Sequence, residues 1–183
     1  MDEESESLFG RVIDQFGDVK AGTLGEAARI ERAVSVGRVA PEIAGVDADG
    51  KPFKLSDFRG KVVVLKFWNH EHCAPCRAAY PEERAMIKRM EGKPVVYLGV
   101  NNGDTHETLK KLLETGEVTW RFWVDGNPAE GKIFKTWDVH GWPTVFVIDR
   151  KGVIRHQGFW MSQIPLVEYA VEKLLEDQGK ASK

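Results

Sequence analysis

Two cysteines, separated by two residues, are the side chains of this sequence best suited to chemistry. They form the segment Cys73-Ala-Pro-Cys76 and are the only cysteines in the chain. A β-branched and aromatic run, Lys61–Trp68, precedes them, and apolar residues at helical spacing follow from Ala74 to Glu91. We therefore expect a strand to end shortly before the cysteines and a helix to begin at them.

A thiol in the first turn of a helix lies among unpaired backbone N–H groups at the positive end of the helix dipole. Both features favour the thiolate over the thiol. Cys73 is therefore the expected nucleophile. Cys76, one turn into the helix, is close enough to attack a mixed disulfide on Cys73 and release the product. The pair predicts thiol-disulfide exchange.

Two other uses of a cysteine pair have to be weighed. A disulfide across two residues closes a very small loop and constrains the unfolded chain little, so stabilisation alone explains it poorly. A copper or zinc site is the stronger rival, because four nitrogen or sulfur ligands lie close together in sequence: His70, His72, Cys73 and Cys76. Such sites usually recruit a second pair of ligands elsewhere, and the sequence has no further cysteine. A metal-binding carrier of copper or zinc therefore remains the alternative function.

Composition fits one domain with short polar ends. The chain has 183 residues, 42% of them hydrophobic, and a formal net charge of −2, so it can bury a substantial core and nothing indicates a nucleic-acid partner. No segment approaches the roughly 18 continuous apolar residues of a membrane span. The acidic start at residues 1–7 is unlike a signal peptide. Either the protein stays in the cytoplasm, or its export segment is absent from this sequence.

The remaining patterns predict strands that alternate with helices. Two short helices are indicated within residues 8–36 by apolar spacing between glycines. Further along, the predicted elements are a hairpin of 44–46 with 53–55, a strand at 95–100, a helix at 105–115, a strand at 120–124, a helix at 128–137, a hairpin of 145–148 with 153–159, and a helix at 163–176 capped by Ser162. This order is typical of an α/β sandwich around a mixed sheet.

The ordered series of segments resembles the thioredoxin superfamily, and within it the extracytoplasmic thiol-disulfide oxidoreductases of the TlpA/ResA type. The segments that carry the resemblance are Gly37–Ile43, Lys54–Lys61, the strand ending Phe67-Trp68, Cys73–Arg77 with Pro81, Gly99–Asn101 and Gly141–Asp149. The resemblance implies a thioredoxin-like three-layer sandwich over residues 37–178, with a central mixed β-sheet and an N-terminal β-hairpin. An acidic tail and short helical appendage at 1–36 precede it, and a polar tail at 179–183 follows.

The resemblance also implies a function. The protein is expected to exchange disulfides with protein disulfide or dithiol substrates, as a reductase supplied by an upstream thiol electron donor. No cofactor beyond the Cys73–Cys76 disulfide is expected, and we expect a monomer outside the cytoplasm. A related peroxiredoxin-type peroxidase is disfavoured, because His70 stands where those enzymes carry the threonine of a Thr-x-x-Cys site.

The surroundings of the cysteines follow from the same resemblance. Pro143 is expected to follow a cis peptide bond beside Cys73 and to leave the backbone of Trp142 free to pair with an extended substrate. Ala74 and Pro75 are expected on the same substrate-binding surface. From their positions in the predicted helix, we expect Cys73 to be exposed at the helix start and the second cysteine to be covered by the helix and by Pro143.

Several charged residues are candidates for tuning the dithiol. His72 stands where the family usually has Trp, and its imidazolium would stabilise a nearby thiolate, which Glu71 would oppose. Lys66 stands where classical thioredoxins carry a buried Asp. We expect its head group to reach the rim of the sheet, with the alternative that it lies near the second cysteine and stabilises a thiolate or accepts a proton. Glu82 and Glu83, in the helix, are expected to be solvated.

Overall fold

The computed structural model describes residues 34–127, 131–159 and 164–180. The strands are β1 (Ala44–Val46), β2 (Pro52–Lys54), β3 (Val62–Trp68), β4 (Val95–Asn101), β5 (Arg121–Val124), β6 (Thr144–Ile148) and β7 (Ile154–Phe159). The helices are α1 (Ala74–Arg89), α2 (His106–Glu114), α3 (Lys132–Thr136) and α4 (Ile164–Lys180), and a short 3₁₀ helix covers Leu55–Phe58. Within these ranges the elements follow the predicted order.

A five-stranded mixed sheet organises these elements, with strand order β5-β4-β3-β6-β7. Strands β3, β4 and β5 run parallel, whereas β6 is antiparallel to both β3 and β7. The two short strands β1 and β2 form the separate N-terminal hairpin. All seven residues of the central strand β3 are buried, which explains its nearly continuous apolar sequence, since both of its faces are covered. The fold is the predicted thioredoxin-like α/β sandwich.

The side chains of β3 alternate between two hydrophobic clusters, one on each face of the sheet. The first cluster contains Val62, Val64 and Trp68, together with side chains of α1, α2 and α4. The second contains Val63, Leu65 and Phe67, together with side chains of the N-terminal hairpin and α3. Helix α1 is therefore packed on the sheet over the central strand that leads into it.

Some boundaries differ from the predictions. The helix predicted at 128–137 is observed over Lys132–Thr136, and the last helix continues to Lys180 rather than ending at Glu176. Helical backbone hydrogen bonds do not require apolar side chains, so the end of the apolar pattern did not mark the end of this helix. The predicted helices before residue 34 and the Ser162 cap lie outside the described residues. No helix within the described ranges is long and apolar enough to cross a membrane.

One carboxylate holds the turn between β6 and β7. Asp149 Oδ1 accepts hydrogen bonds from the backbone N–H groups of Lys151 and Val153, each at 2.9 Å, and Oδ2 accepts from Arg155 Nε at 2.8 Å. Burial alone would raise the pKa of Asp149, but these hydrogen bonds and the Arg155 charge outweigh it and lower the pKa below its ordinary value. The ionised carboxylate therefore stabilises the folded state.

Asp149→Asn is expected to lower the free energy of unfolding by about 1–2 kcal/mol at pH 7. Because the folded-state pKa is lowered, the contribution is present above the unfolded-state pKa of about 3.9 and is lost as the pH falls through the folded-state value. Urea unfolding should therefore show a difference between wild type and variant that shrinks below about pH 4. Asp49→Asn, which removes an exposed ion pair with Lys51, is the control with little effect. A pH-independent difference would contradict this account.

Candidate dithiol active site

The two cysteines are joined in a disulfide at the start of α1. Cys73 is the N-cap residue of the helix, and its Sγ accepts a hydrogen bond from the backbone N–H of Cys76 at 3.1 Å. This N–H and the helix dipole would both stabilise negative charge on the Cys73 sulfur. Pro75 lies in the first turn, where its missing N–H removes no helical hydrogen bond. The geometry suits Cys73 to the role of attacking thiol.

The prediction that Cys73 is exposed is wrong for the disulfide state. Cys73 is only 3% exposed and Cys76 is fully buried, and both belong to the cluster on the α1 face of the sheet. In the disulfide, the sulfur of Cys73 is bonded to the sulfur of the fully buried Cys76. The surface of the motif is formed instead by Ala74, which is exposed, and Pro75, which is half-buried.

The loop before β6 carries the predicted proline. The peptide bond between Trp142 and Pro143 is cis, as the resemblance implied. Pro143 is buried and Trp142 is half-buried. The Trp142 side chain packs against the cluster that includes both cysteines. Thr144 Oγ1 donates a hydrogen bond to the carbonyl of Gly141 at 2.8 Å and so fixes the loop.

Asparagine side chains support the loop that enters α1. Asn69 Nδ2 donates to the carbonyl of Asn102 at 2.8 Å, and Asn69 Oδ1 accepts from the backbone N–H of His72 at 2.6 Å. Both asparagines are buried. Through these two hydrogen bonds, the residue before Cys73 is connected to the end of β4.

Asp104 supports the same loop from the turn after β4. Its carboxylate accepts from the backbone N–H groups of His70 at 2.6 Å and Glu71 at 2.9 Å. Sequence reasoning missed Asp104, Asn69 and Asn102 as parts of the site. A signal was present, because polar residues directly follow two apolar strands, and the carboxyl ends of parallel neighbouring strands meet at one edge of a sheet.

In the described part of the chain, the two predicted histidine ligands do not form a metal site with the cysteines. The half-buried ring of His70 stacks on Tyr80, with Nδ1 3.4 Å from the tyrosine oxygen. His72 is exposed, and so is Glu71, whose Oε1 accepts from Thr108 Oγ1 at 2.7 Å. Over the described ranges, no group of three or more His, Cys, Asp and Glu side chains could hold a metal ion. No structural observation therefore favours the metal carrier.

Lys66 and Glu83 form a buried ion pair, contrary to two predictions. Lys66 does not reach the rim of the sheet and is fully buried, and Glu83 is only 3% exposed rather than solvated. Lys66 Nζ lies 2.7 Å from Oε1 and 2.8 Å from Oε2 of Glu83. Tyr97 donates its hydroxyl to Oε1 at 3.0 Å. Each buried charge is tolerated because the other compensates it.

The ion pair lies beneath the helix face that carries Cys76. Tyr80 and Glu83 follow Cys76 at helical spacing on that face, and all three are buried. Lys66 Nζ lies 5.1 Å from the Tyr80 ring centroid and 5.7 Å from that of Trp120, within range of a cation–π interaction. Burial lowers the pKa of Lys66, and Glu83 acts in the opposite direction. Burial also raises the pKa of Tyr80, so its hydroxyl stays protonated at neutral pH.

Comparison with known proteins agrees with this geometry. The thiol-disulfide oxidoreductase ResA of Geobacillus kaustophilus is 31% identical over 123 residues, which cover 67% of this chain and 68% of that protein. The solved thioredoxin domain of a thiol-disulfide oxidoreductase from Bacteroides vulgatus has a TM-score of 0.65 at 25% identity, covering 77% of this chain and 98% of that one. A thiol:disulfide interchange protein from Bacteroides sp. has a TM-score of 0.66 at 26% identity, covering 79% and 92%.

The thioredoxin-like fold and the disulfide at the helix start define a redox enzyme of the thiol-disulfide oxidoreductase class. The family model of the AhpC/TSA family matches residues 36–157. The chain belongs to this family, and the ResA enzymes are among its relatives.

Removing one partner of the buried ion pair is expected to destabilise the protein strongly. Lys66→Met leaves a buried carboxylate without its counter-charge, and the free energy of unfolding should fall by about 3–5 kcal/mol. The double variant Lys66→Met with Glu83→Gln should lose less than Lys66→Met alone, because no buried charge remains and the new amide oxygen still accepts the Tyr97 hydroxyl. Urea unfolding at pH 7 of the oxidised wild type, Lys66→Met, Glu83→Gln and the double variant gives the unfolding free energies that complete the cycle.

The matched control for this cycle is the exposed pair Lys110–Glu114 on α2. Lys110→Met should hardly change the unfolding free energy, because surface ion pairs contribute little. If the double variant loses as much unfolding free energy as Lys66→Met and Glu83→Gln lose together, Lys66 and Glu83 do not act as a pair.

Proposed function

We propose that the protein is a reductase of protein disulfides that acts outside the cytoplasm through Cys73 and Cys76. The position of the disulfide at the start of α1 carries the proposal, because the helix N-terminus and the Cys76 N–H would stabilise a Cys73 thiolate. The extracytoplasmic location is supported by the resemblance to the TlpA/ResA enzymes. An upstream dithiol protein would restore the reduced enzyme.

The exchange proceeds in two displacement steps. In the reduced enzyme, the Cys73 thiolate attacks one sulfur of the substrate disulfide, and the other substrate sulfur leaves as a thiolate. Cys76 then loses its proton and attacks the Cys73 sulfur, which reforms the enzyme disulfide and releases the second substrate thiolate. Two electrons pass from the enzyme to the substrate, and each released thiolate takes up a proton.

The surface around the disulfide supports a polypeptide substrate. Ala74 is exposed, while Pro75 and Trp142 are half-buried, so a chain that reaches Cys73 passes over small and apolar side chains. By family resemblance, the backbone of Trp142 pairs with the extended substrate. Main-chain pairing of this kind orients the substrate disulfide. Selectivity for particular substrate side chains then depends on neighbouring surfaces of the protein.

The charge balance beneath the site supports reduction rather than oxidation as the direction of exchange. An enzyme that strongly stabilises its thiolate is an oxidant, because its reduced form is favoured. Here the buried Lys66 ammonium is compensated by Glu83. The buried layer under Cys76 therefore supplies no net positive charge that would add to the stabilisation of the thiolate by the helix N-terminus.

Cys76→Ser is expected to trap a mixed disulfide between Cys73 and a substrate such as insulin, because the resolving thiol is absent. Cys73→Ser should trap no such complex, since the buried second thiol lacks access to the substrate. Non-reducing electrophoresis and mass spectrometry of the linked peptides identify the trapped cysteine. Complexes formed through Cys76 would reverse the assigned roles, and the absence of complexes in both variants would refute the proposed function.

Glu83→Gln is expected to raise the reduction potential of the Cys73–Cys76 couple by about 10–30 mV. Removal of the Glu83 charge favours loss of the Lys66 proton, but the fraction of Lys66 that stays charged then lacks its counter-charge and stabilises the thiolate. One pKa unit corresponds to about 30 mV for a two-electron couple. Equilibration of the folded protein with glutathione measures the potential. Glu114→Gln in the exposed pair is the control. A potential that stays the same or falls would contradict the charge-balance argument.

A further inference from the structure

The loop between β3 and α1, residues 69–72, leads directly into Cys73 and has no regular secondary structure. In the described part of the chain, no backbone–backbone hydrogen bond involves these four residues. Three of their N–H groups and two of their carbonyl groups bond to side chains instead. The position of the nucleophile at the end of this loop therefore depends on a small number of side chains.

Asp104 holds the N–H side of the loop. Its Oδ2 accepts a hydrogen bond from the backbone N–H of His70 at 2.6 Å, and its Oδ1 accepts one from that of Glu71 at 2.9 Å. Oδ2 also accepts from Asn101 Nδ2 at 2.6 Å, which fixes the carboxylate relative to the last residue of β4. Hydrogen bonds to an ionised acceptor are roughly twice as strong as those between neutral groups. Asp104 thus ties the loop to the central sheet.

Arg77 holds the carbonyl side of the same two residues. Its Nη1 donates to the carbonyl oxygen of His70 and, at 3.2 Å, to that of Glu71. Arg77 directly follows Cys76 in α1, so its guanidinium ties the loop to the start of the helix. A carboxylate accepts from N–H groups and a guanidinium donates to carbonyl groups, so the two opposite charges stabilise the same orientation of these peptide groups.

Further contacts of the loop remain when either charge is removed. Asn69 Oδ1 accepts from the backbone N–H of His72, and the His70 ring stacks on Tyr80. Loss of Asp104 or Arg77 is therefore expected to loosen the loop rather than to unfold the domain.

The loop determines where the Cys73 sulfur lies relative to α1. Cys73 is the N-cap residue, and its Sγ accepts from the Cys76 N–H at 3.1 Å. The stabilisation of negative charge at a helix N-terminus falls off within the first turn, so it depends on the placement of the sulfur. A loosened loop allows the Cys73 thiolate to move away from the N–H groups of the helix.

We propose that Asp104 and Arg77 are positioning residues that together hold residues 69–72 and thereby keep Cys73 where the helix N-terminus stabilises its thiolate. The inference rests on the proposed function, in which this thiolate attacks the substrate. Both residues act through the loop and not by direct contact with the substrate.

The two ways in which Asp104 could affect Cys73 predict shifts of opposite sign. A direct effect of its negative charge means that Asp104→Asn lowers the Cys73 pKa. Positioning means that the same variant raises the pKa, because an amide cannot accept at both former oxygen positions and the thiolate loses stabilisation by the helix. We expect a rise of about one unit, which is about a tenfold loss of thiolate below the pKa. The pH dependence of Cys73 alkylation in the reduced protein, at limiting iodoacetamide, measures the shift.

Glu107→Gln is the matched control for the loss of a carboxylate. Glu107 lies in the first turn of α2, close in sequence to Asp104, and within the described residues it accepts no hydrogen bond from the loop. Its removal should leave the Cys73 pKa unchanged or slightly lower, which is the opposite of the result expected for Asp104→Asn.

Arg77→Met should also raise the Cys73 pKa by about one unit. The rise should persist in about 1 M potassium chloride, where charges are screened beyond about 3 Å. Arg84→Met is the control, because Arg84 is on the same helix and donates to the carbonyl of Glu117, outside the loop, at 2.8 Å. A rise that disappears in high salt, or an equal rise in the Arg84 variant, would contradict a positioning role.

The double variant tests whether both residues act through one loop. Direct effects of two charges on a third group add, whereas the effects of two ties that hold the same segment do not. Asp104→Asn combined with Arg77→Met should therefore raise the Cys73 pKa by less than the sum of the two single shifts. A lowered pKa in the Asp104 variant, or additive shifts in the double variant, would overturn the inference. If Asp104→Asn is too unstable to purify, the Arg77→Met shift in high salt decides the inference by itself.

Insulin reduction separates this inference from the proposed function. At a pH below the Cys73 pKa, reduced Asp104→Asn should react with insulin about threefold more slowly than wild type, because a more basic thiolate is also more nucleophilic and offsets part of the tenfold loss. Reduction of insulin by wild type, together with an unchanged or lowered pKa in Asp104→Asn, would retain the proposed function and remove the positioning role. A wild type that reduces no disulfide would refute the proposed function, whereas the pKa shifts would still test the role of the loop.

Discussion

The buried ion pair between Lys66 and Glu83 links the central strand to the helix on which the site is built. The two charges lie between β3 and α1, where neither can reach solvent, so each depends on the other for compensation. This requirement favours one register of α1 over β3. Because Cys76 lies on the same helix face as Glu83, that register also determines where the disulfide lies relative to the sheet.

The same arrangement brings the supporting side chains to one edge of the sheet. Strands β3 and β4 are parallel, so the polar residues that follow them meet at their carboxyl ends. Asn69 and Asp104 hold the loop before Cys73, and the carbonyl of the buried Asn102 accepts a hydrogen bond from Asn69.

The exposure of the charged and reactive residues was predicted less well than the elements that carry them. Solvation of charges is a sound default, and it was wrong for Lys66 and Glu83 because each supplies the other's counter-charge inside the core. Helix position alone also suggested an exposed Cys73. The disulfide and the packing around it left that residue 3% exposed. Such effects depend on pairs of residues distant in sequence, which local patterns do not report.

The redox pair and the order of strands and helices could be predicted from the amino-acid sequence, and family resemblance predicted the cis bond before Pro143. These features depend on residue type and short-range spacing, because a thiol pair, an apolar strand and a proline are each recognised from residues close together in sequence. Only the packed fold shows the Lys66–Glu83 pairing and the asparagine and aspartate supports of the active-site loop. Each of these depends on distances between segments that only the packed sheet brings together.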